Sequence, residues 1–167
     1  MKSITKILIA IIAVLTTSCG IYNFRGANIP DDVKTFSVGF FSNEASYVNP
    51  SLSVDLTEKL KTKFQTETTL NLKSDDGDYQ MSGVVKRYEI TPAALNAQTG
   101  AAQTQFSITI NVDFICPKHP EKDFSKDFTS STTFDASTEF SSVESSLTAE
   151  LTEIIVQQIF AAIALDW

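Results

Sequence analysis

Few residues in this chain are able to do proton-transfer or covalent chemistry, and their neighbours argue against most of it. His119 is the only histidine and stands in PKHPEK, between Pro117 and Pro120. A Ser–His–Asp or Cys–His hydrolase needs its imidazole held against the nucleophile, and a surface turn between prolines does not hold it there. Two cysteines, Cys19 and Cys116, with one histidine cannot supply the usual His/Cys zinc ligand sets. Asp75, Asp76 and Asp78 cluster around Gly77. They lack the alternating spacing and distal Glu of an EF-hand calcium loop, and an exposed turn is the simpler reading. There is no GxxxxGK[ST], GxGxxG or GxSxG stretch. No cofactor and no metal site is expected. Catalysis would have to come from scattered carboxylates, as in a hydrolase of cell-wall glycans.

Cys19 is of another kind. Lys2 and Lys6 precede Ile7 to Leu15, an apolar run ILIAIIAVL, and Thr16, Thr17 and Ser18 follow before Cys19 and Gly20. A membrane-spanning helix needs about 20 apolar residues. This run is too short, and it suits the hydrophobic region of a secretory signal. The order resembles a bacterial lipoprotein signal, with Thr16 where the lipobox usually has Leu and Leu15 one place further out. The reading is a signal peptide over 1–18, a lipidated lead over 19–32 that begins at Cys19, and one domain over 33–167. The alternative is an ordinary secretory signal with Cys19 a free thiol. Lipid on Cys19 leaves Cys116 without a disulfide partner. Cys116 continues the apolar face of a strand, where it acts as a small buried hydrophobe.

Loss of Lys2 and Lys6 with the leader takes the net charge from −7 to −9. Such a domain does not attract phosphate backbones, which removes nucleic acid from the expected partners.

The elements that would position any site follow from periodicity. Val33 to Phe41 alternates, with Phe36, Val38 and Phe40 on one face and Phe41 breaking the pattern. Pro50 and Ser51 open a helix whose Leu52, Leu56, Leu60 and Phe64 fall four apart as one apolar stripe. Thr69 to Lys73 is a short strand, and Asp76-Gly77 reads as a hairpin turn into a third strand from Tyr79 to Ile90. The stretch NAQTGAAQ from Asn96 reads as the next hairpin loop. Gln105 to Cys116 alternates through Phe106, Ile108, Ile110, Val112, Phe114 and Cys116. Asp123 to Phe134 is a more polar strand that fits a sheet edge. Ser141 and Glu144 form a capping box for a last helix, which from Ile154 onward is apolar nearly all round. Its end is either deeply buried or presents an apolar surface. A strand–helix–strand start favours a right-handed crossover with its strands parallel or close neighbours. The fold expected is α+β: two helices on one face of a mostly antiparallel, mixed four- to five-stranded sheet, in the order β-α-β-β-β-(β)-α.

The residues of CGIYNFRGANIPDDVKTFSV, NPSLSVDLTEKLKTKF, the DGD turn, YEITPAAL, TITINVDF, PEKDFSKDF and the final Trp167 resemble the LptE family of the Bacteroidetes type. The resemblance implies a non-enzymatic lipoprotein plug and assembly partner of the LptD β-barrel. It would be held at the outer membrane by its N-terminal lipid, on the periplasmic side or in the barrel lumen, and would assist lipopolysaccharide insertion. Basic residues on the sheet would contact lipopolysaccharide or barrel carboxylates, which makes Lys73, Lys86 and Arg87 the candidates. Strict alternation sends Lys86 and Arg87 to opposite faces. The alternatives are a lipoprotein of another envelope assembly complex and a periplasmic lipid carrier.

Overall fold

The computed structural model describes residues 29–47, 49–95 and 100–165. Cys19, the leader, most of the lead, Trp167 and part of the loop after Asn96 lie outside them. The elements are β1 (Thr35–Asn43), α1 (Leu52–Glu67), β2 (Asn71–Leu72), β3 (Tyr79–Ala93), β4 (Gln103–Ile115), β5 (Phe124–Asp135) and α2 (Phe140–Phe160). A wider π turn, Ala161–Leu165, continues α2. The five strands form one sheet in the order β2-β1-β3-β4-β5. β1 is parallel to β2 and to β3, while β3, β4 and β5 run antiparallel in turn. This is the α+β arrangement expected, with the polar strand β5 at an edge.

Both helices lie on the apolar face. Leu52, Leu56, Leu60 and Phe64 of α1 are fully buried, as are Leu151, Ile155 and Ile159 of α2. The periodicity of four brings those side chains onto one stripe, and the hydrophobic effect seals the stripe against the sheet. Phe106, Ile108, Ile110 and Val112 of β4 are wholly buried beneath them, and so is Cys116. The end of α2 is buried through Val156, Phe160, Ile163 and Ala164, while Ile154 and Leu165 stay exposed. Phe140–Leu165 is long and apolar enough to cross a membrane, but half of its most apolar window is packed into this core.

Three local expectations are corrected. Phe40 does not share a face with Phe36 and Val38. The register of β1 on β3 slips between Val38 and Phe41, so Phe41 enters the core and Phe40 is 69% exposed. The bulge inserts one residue and resets the alternation.

Asp76-Gly77 is not a hairpin turn, because β1 lies between β2 and β3. The positive φ falls on Asp76, at 52°. Gly77 is required for another reason: a Cβ there would lie 2.5 Å from the backbone of Phe36 and Ser37.

Ser141 and Glu144 do not form a capping box. Glu139 occupies the N-cap and makes no side-chain cap bond. Phe140 anchors the start of α2 instead, with its ring 5.1 Å from Phe106 and 5.9 Å from Phe134. Glu144 turns toward Tyr88 and Asn49.

Candidate functional site

With both helices on one side, the other face of the sheet is uncovered by any element among the described residues. Its rows follow from the strand registers. Ser82, Asp113 and Ser125 stand abreast, then Val84, Asn111 and Asp127, then Arg87, Thr109 and Thr129, then Glu89, Ser107 and Ser131. Alternation along β4 makes this face polar for the same reason that it makes the other face apolar. Hydroxyls and amides tie the strands together side to side. The Thr109 and Thr129 hydroxyls are 2.9 Å apart, and Asn111 Nδ2 donates to Asp127 Oδ1 at 2.7 Å.

Lys86 and Arg87 meet on this open face. The register of β3 on β4 slips between Val85 and Arg87, so Val85 and Tyr88 both point into the core, and both basic residues are exposed. The opposite-face expectation is overturned by this bulge, which inserts Lys86 between two inward positions. Lys86 Nζ pairs with Asp127 Oδ1 at 2.9 Å, and Arg87 Nε donates to Thr109 Oγ1 at 3.4 Å. Glu89 stands 4.0 Å from Arg87 Nε. The hydrogen bond from Lys86, then that from Asn111, holds the Asp127 carboxyl below the usual carboxylate range. Lys73 is elsewhere. It follows β2 at the level where Phe36 pairs with Tyr79, and its Nζ donates to the Asp76 carbonyl. At about 3.3 Å of rise per residue, that is roughly 20 Å along the sheet from Lys86. The structure joins two of the three basic candidates and separates the third.

The sequence reading missed Asp127 and Thr129 as parts of this surface. The outward alternation of β4 already placed Asn111 there. Their pairing depends on the β4–β5 register, which no local signal sets.

A second polar assembly closes the junction of α1, α2 and β3. The Tyr88 phenol donates to Glu144 Oε1 at 2.8 Å and lies 2.8 Å from Thr148 Oγ1, and Asn49 Nδ2 donates to both Tyr88 and Glu144 at 3.2 Å. Burial pushes the phenol's pKa up to about 12, so it stays a donor throughout the physiological range. Tyr88→Phe takes the phenol from a buried Thr148 and from the half-buried Asn49 and Glu144. A loss of about 1–2 kcal/mol is expected, read as a lower urea midpoint with an unchanged slope.

His119 lies among carboxylates, with its Nδ1 3.5 Å from Glu121 Oε1. Its Nε2 lies 3.1 Å from both carboxylate oxygens of Asp32. Asp78 is engaged by Lys118 and two backbone amides. Among the described residues, no group of three or more His, Cys, Asp and Glu side chains is placed to hold a metal.

The domain is thus a two-layer α+β domain with one sheet face sealed by helices, and the other polar and crossed by paired charges. The same fold occurs in a minor lipoprotein from Acinetobacter baumannii, at a TM-score of 0.52 and 17% identity over 78% of this chain and 92% of that one. It occurs also in lipoprotein B from Nitrosomonas europaea, at 0.52 and 10% identity over 76% and 79%. A Xanthomonas campestris protein superposes at 0.54 with 14% identity over 78% and 83%. No curated protein matches the chain. The family model for LptE, lipopolysaccharide-assembly, matches residues 33–163, and the chain belongs to that family.

Proposed function

We propose that this lipopolysaccharide-assembly protein is a lipid-anchored, non-enzymatic partner of the LptD β-barrel that assists lipopolysaccharide insertion into the outer membrane. Residues 1–18 are removed, Cys19 carries the lipid, 19–32 form the lead, and 33–167 are the working domain on the periplasmic side or in the barrel lumen. The observation that carries this reading is the open sheet face, with its cross-strand rows of Ser, Thr and Asn and its Lys86–Asp127 pair. A polar, self-bonded surface of this kind fits the hydrated wall of a large barrel, whose interior is polar. A lipid carrier is less well supported, because Val156, Ile159, Phe160 and Ile163 at the end of α2 are spent on the core, and the cavity beside them is open and edged by Lys126 and Asp127.

Lys86 and Arg87 act together at the contact, against barrel carboxylates or lipid A phosphates, and Lys73 belongs to a separate patch. Affinity-tagged protein from detergent-solubilised outer membranes is expected to carry a stoichiometric barrel of LptD size. The double variant Lys86→Ala/Arg87→Ala should recover much less barrel. Its stability should change by less than about 1 kcal/mol, because exposed ion pairs contribute little. Depletion of the chain should strand lipopolysaccharide at the inner membrane. Recovery of the lipoprotein alone with bound lipid, or an unmodified thiol at Cys19 by mass spectrometry, would remove this reading.

A further inference from the structure

We propose that the cleft between the N-terminal halves of α1 and α2 binds a saccharide. This goes beyond the barrel-partner reading and does not depend on it. The cleft holds about 440 Å³, within the roughly 300–1,000 Å³ of small-molecule sites. It lies on the helical layer, away from the open sheet face.

Two stripes form its walls. Ser51, Asp55 and Lys59 repeat every fourth residue at one side, and Ser141, Ser145, Thr148 and Thr152 line the other. Packed helices ordinarily meet through apolar side chains at such positions. Here both walls offer hydroxyls and carboxylates, and the side chains of α2 are small enough to leave the space open. Tyr47 closes one end. Its ring lies 5.4 Å from that of Tyr88 with 19° between the planes, and it remains 53% exposed.

Glu144 is the fixed acceptor of the site. Tyr88 and Asn49 both bond its Oε1, which sets the carboxylate of this cleft-lining residue in place and leaves it with capacity to accept from a ligand. Asn49 is held in turn, because its Oδ1 accepts from the Ser51 amide and hydroxyl.

Charge selects among ligands. Asp55 and Glu144 repel anions, and Lys59, the one cation among the described residues lining the cleft, already pairs with Glu153 at 2.9 Å. An acyl chain would desolvate these polar walls at a cost. A sugar fits both features: its hydroxyls donate to carboxylates through charge-assisted bonds, and its C–H face packs on an aromatic ring.

The test uses the full lipidated chain in dodecylphosphocholine, a detergent without a sugar head. Saturation-transfer NMR is read with lactose, with chitobiose and with choline chloride. Transfer to the ring protons of at least one disaccharide is expected. Lactose alone would point to hexose-type glycans and chitobiose alone to amino-sugar polymers. Tyr47→Ala should weaken binding about tenfold, on the scale of one aromatic contact. Ser145→Trp, on the exposed wall, should abolish it with the circular dichroism spectrum unchanged. Lys86→Ala/Arg87→Ala should leave it intact. The proposal is overturned if neither disaccharide shows transfer, if transfer survives both Tyr47→Ala and Ser145→Trp, or if only choline binds. Sugar binding without barrel copurification would leave the cleft standing and remove the barrel reading, and the reverse result would do the opposite.

Discussion

Gly83→Ala is expected to be the most damaging single-methyl change in the domain. A Cβ at this buried position would lie 2.1 Å from the Asn111 carbonyl oxygen and 2.8 Å from Phe41 Cε1. The first is backbone of the neighbouring strand and cannot rotate away. The second is a fully buried ring, brought inward by the β1 bulge. Accommodating the methyl means prising β3 from β4 or expelling Phe41, a loss of about 3 kcal/mol or more. Domains of this size are stable by roughly 5–15 kcal/mol, so a large part of the total is at stake. Urea titration followed by circular dichroism reads the effect. Adding Phe41→Leu to the variant should restore only part of it, because the clash with Asn111 remains. An alanine variant with a midpoint equal to that of the parent would refute the close approach.

Asp78→Ala should come next. One oxygen of this carboxylate accepts from the Lys34 and Thr35 amides at 2.8 and 3.0 Å, and the other pairs with Lys118 at 2.9 Å. The Asp78 amide donates back to Thr35 Oγ1 at 3.0 Å, and the neighbouring Gly77 amide donates to Ser37 Oγ at 3.2 Å. The carboxylate therefore joins the start of β1 to the turn before β3 and to the turn after β4. Its side chain is only 19% exposed. Removing it leaves two amides without their acceptor and Lys118 with the Asp32 carbonyl alone, at about 3 kcal/mol in total. The pH dependence carries a definite sign. The hydrogen bond from Lys118 first, and then the Lys34 amide, hold the Asp78 carboxyl well below its ordinary value. An unfolded Asp takes up its proton near pH ~4, so the unfolded chain binds more protons as acid is added. The stabilisation is whole above that pH and is lost as the pH falls toward the depressed native value. The parent should lose stability steeply below about pH 4, and Asp78→Ala less steeply. Parallel acid profiles for the two proteins would count against this role.

What the sequence told and what it withheld divide along one line. Signals carried by consecutive residues came through. The alternating apolar residues from Phe106 to Phe114 form the buried side of β4, Cys116 continues it one residue past the strand, and the Leu52–Phe64 stripe became the buried side of α1. Features that depend on a partner strand did not. The bulges beside Phe41 and at Lys86 each shift the alternation by one residue, and nothing in the local text distinguishes such a slip from the end of a strand. Asp76-Gly77 has the composition of a hairpin turn, but a third strand had to enter between its flanks before Gly77 became a point of contact. The candidate face shared this fate. Its hydroxyl rows were legible from β4 alone, whereas the joining of Lys86 with Arg87 required the bulge, and the bond to Asp127 required the β5 register. Lys73 was named for its charge and its place beside a strand, and neither of these says which strand lies next to it in the sheet.

The place of β1 between two parallel neighbours also fixes an order of events. Both of its hydrogen-bonding neighbours are encoded later in the chain, beyond α1, whereas β3 and β4 each meet the strand that follows. Closing the longer loop costs more chain entropy, so the three-strand meander is the unit that nucleates readily and β1 docks afterwards. Until then Phe36, Val38 and Phe41 are uncovered on a segment with two vacant edges. The nascent chain is most prone to stray association during that interval, and its vulnerability lies in how long β1 must wait.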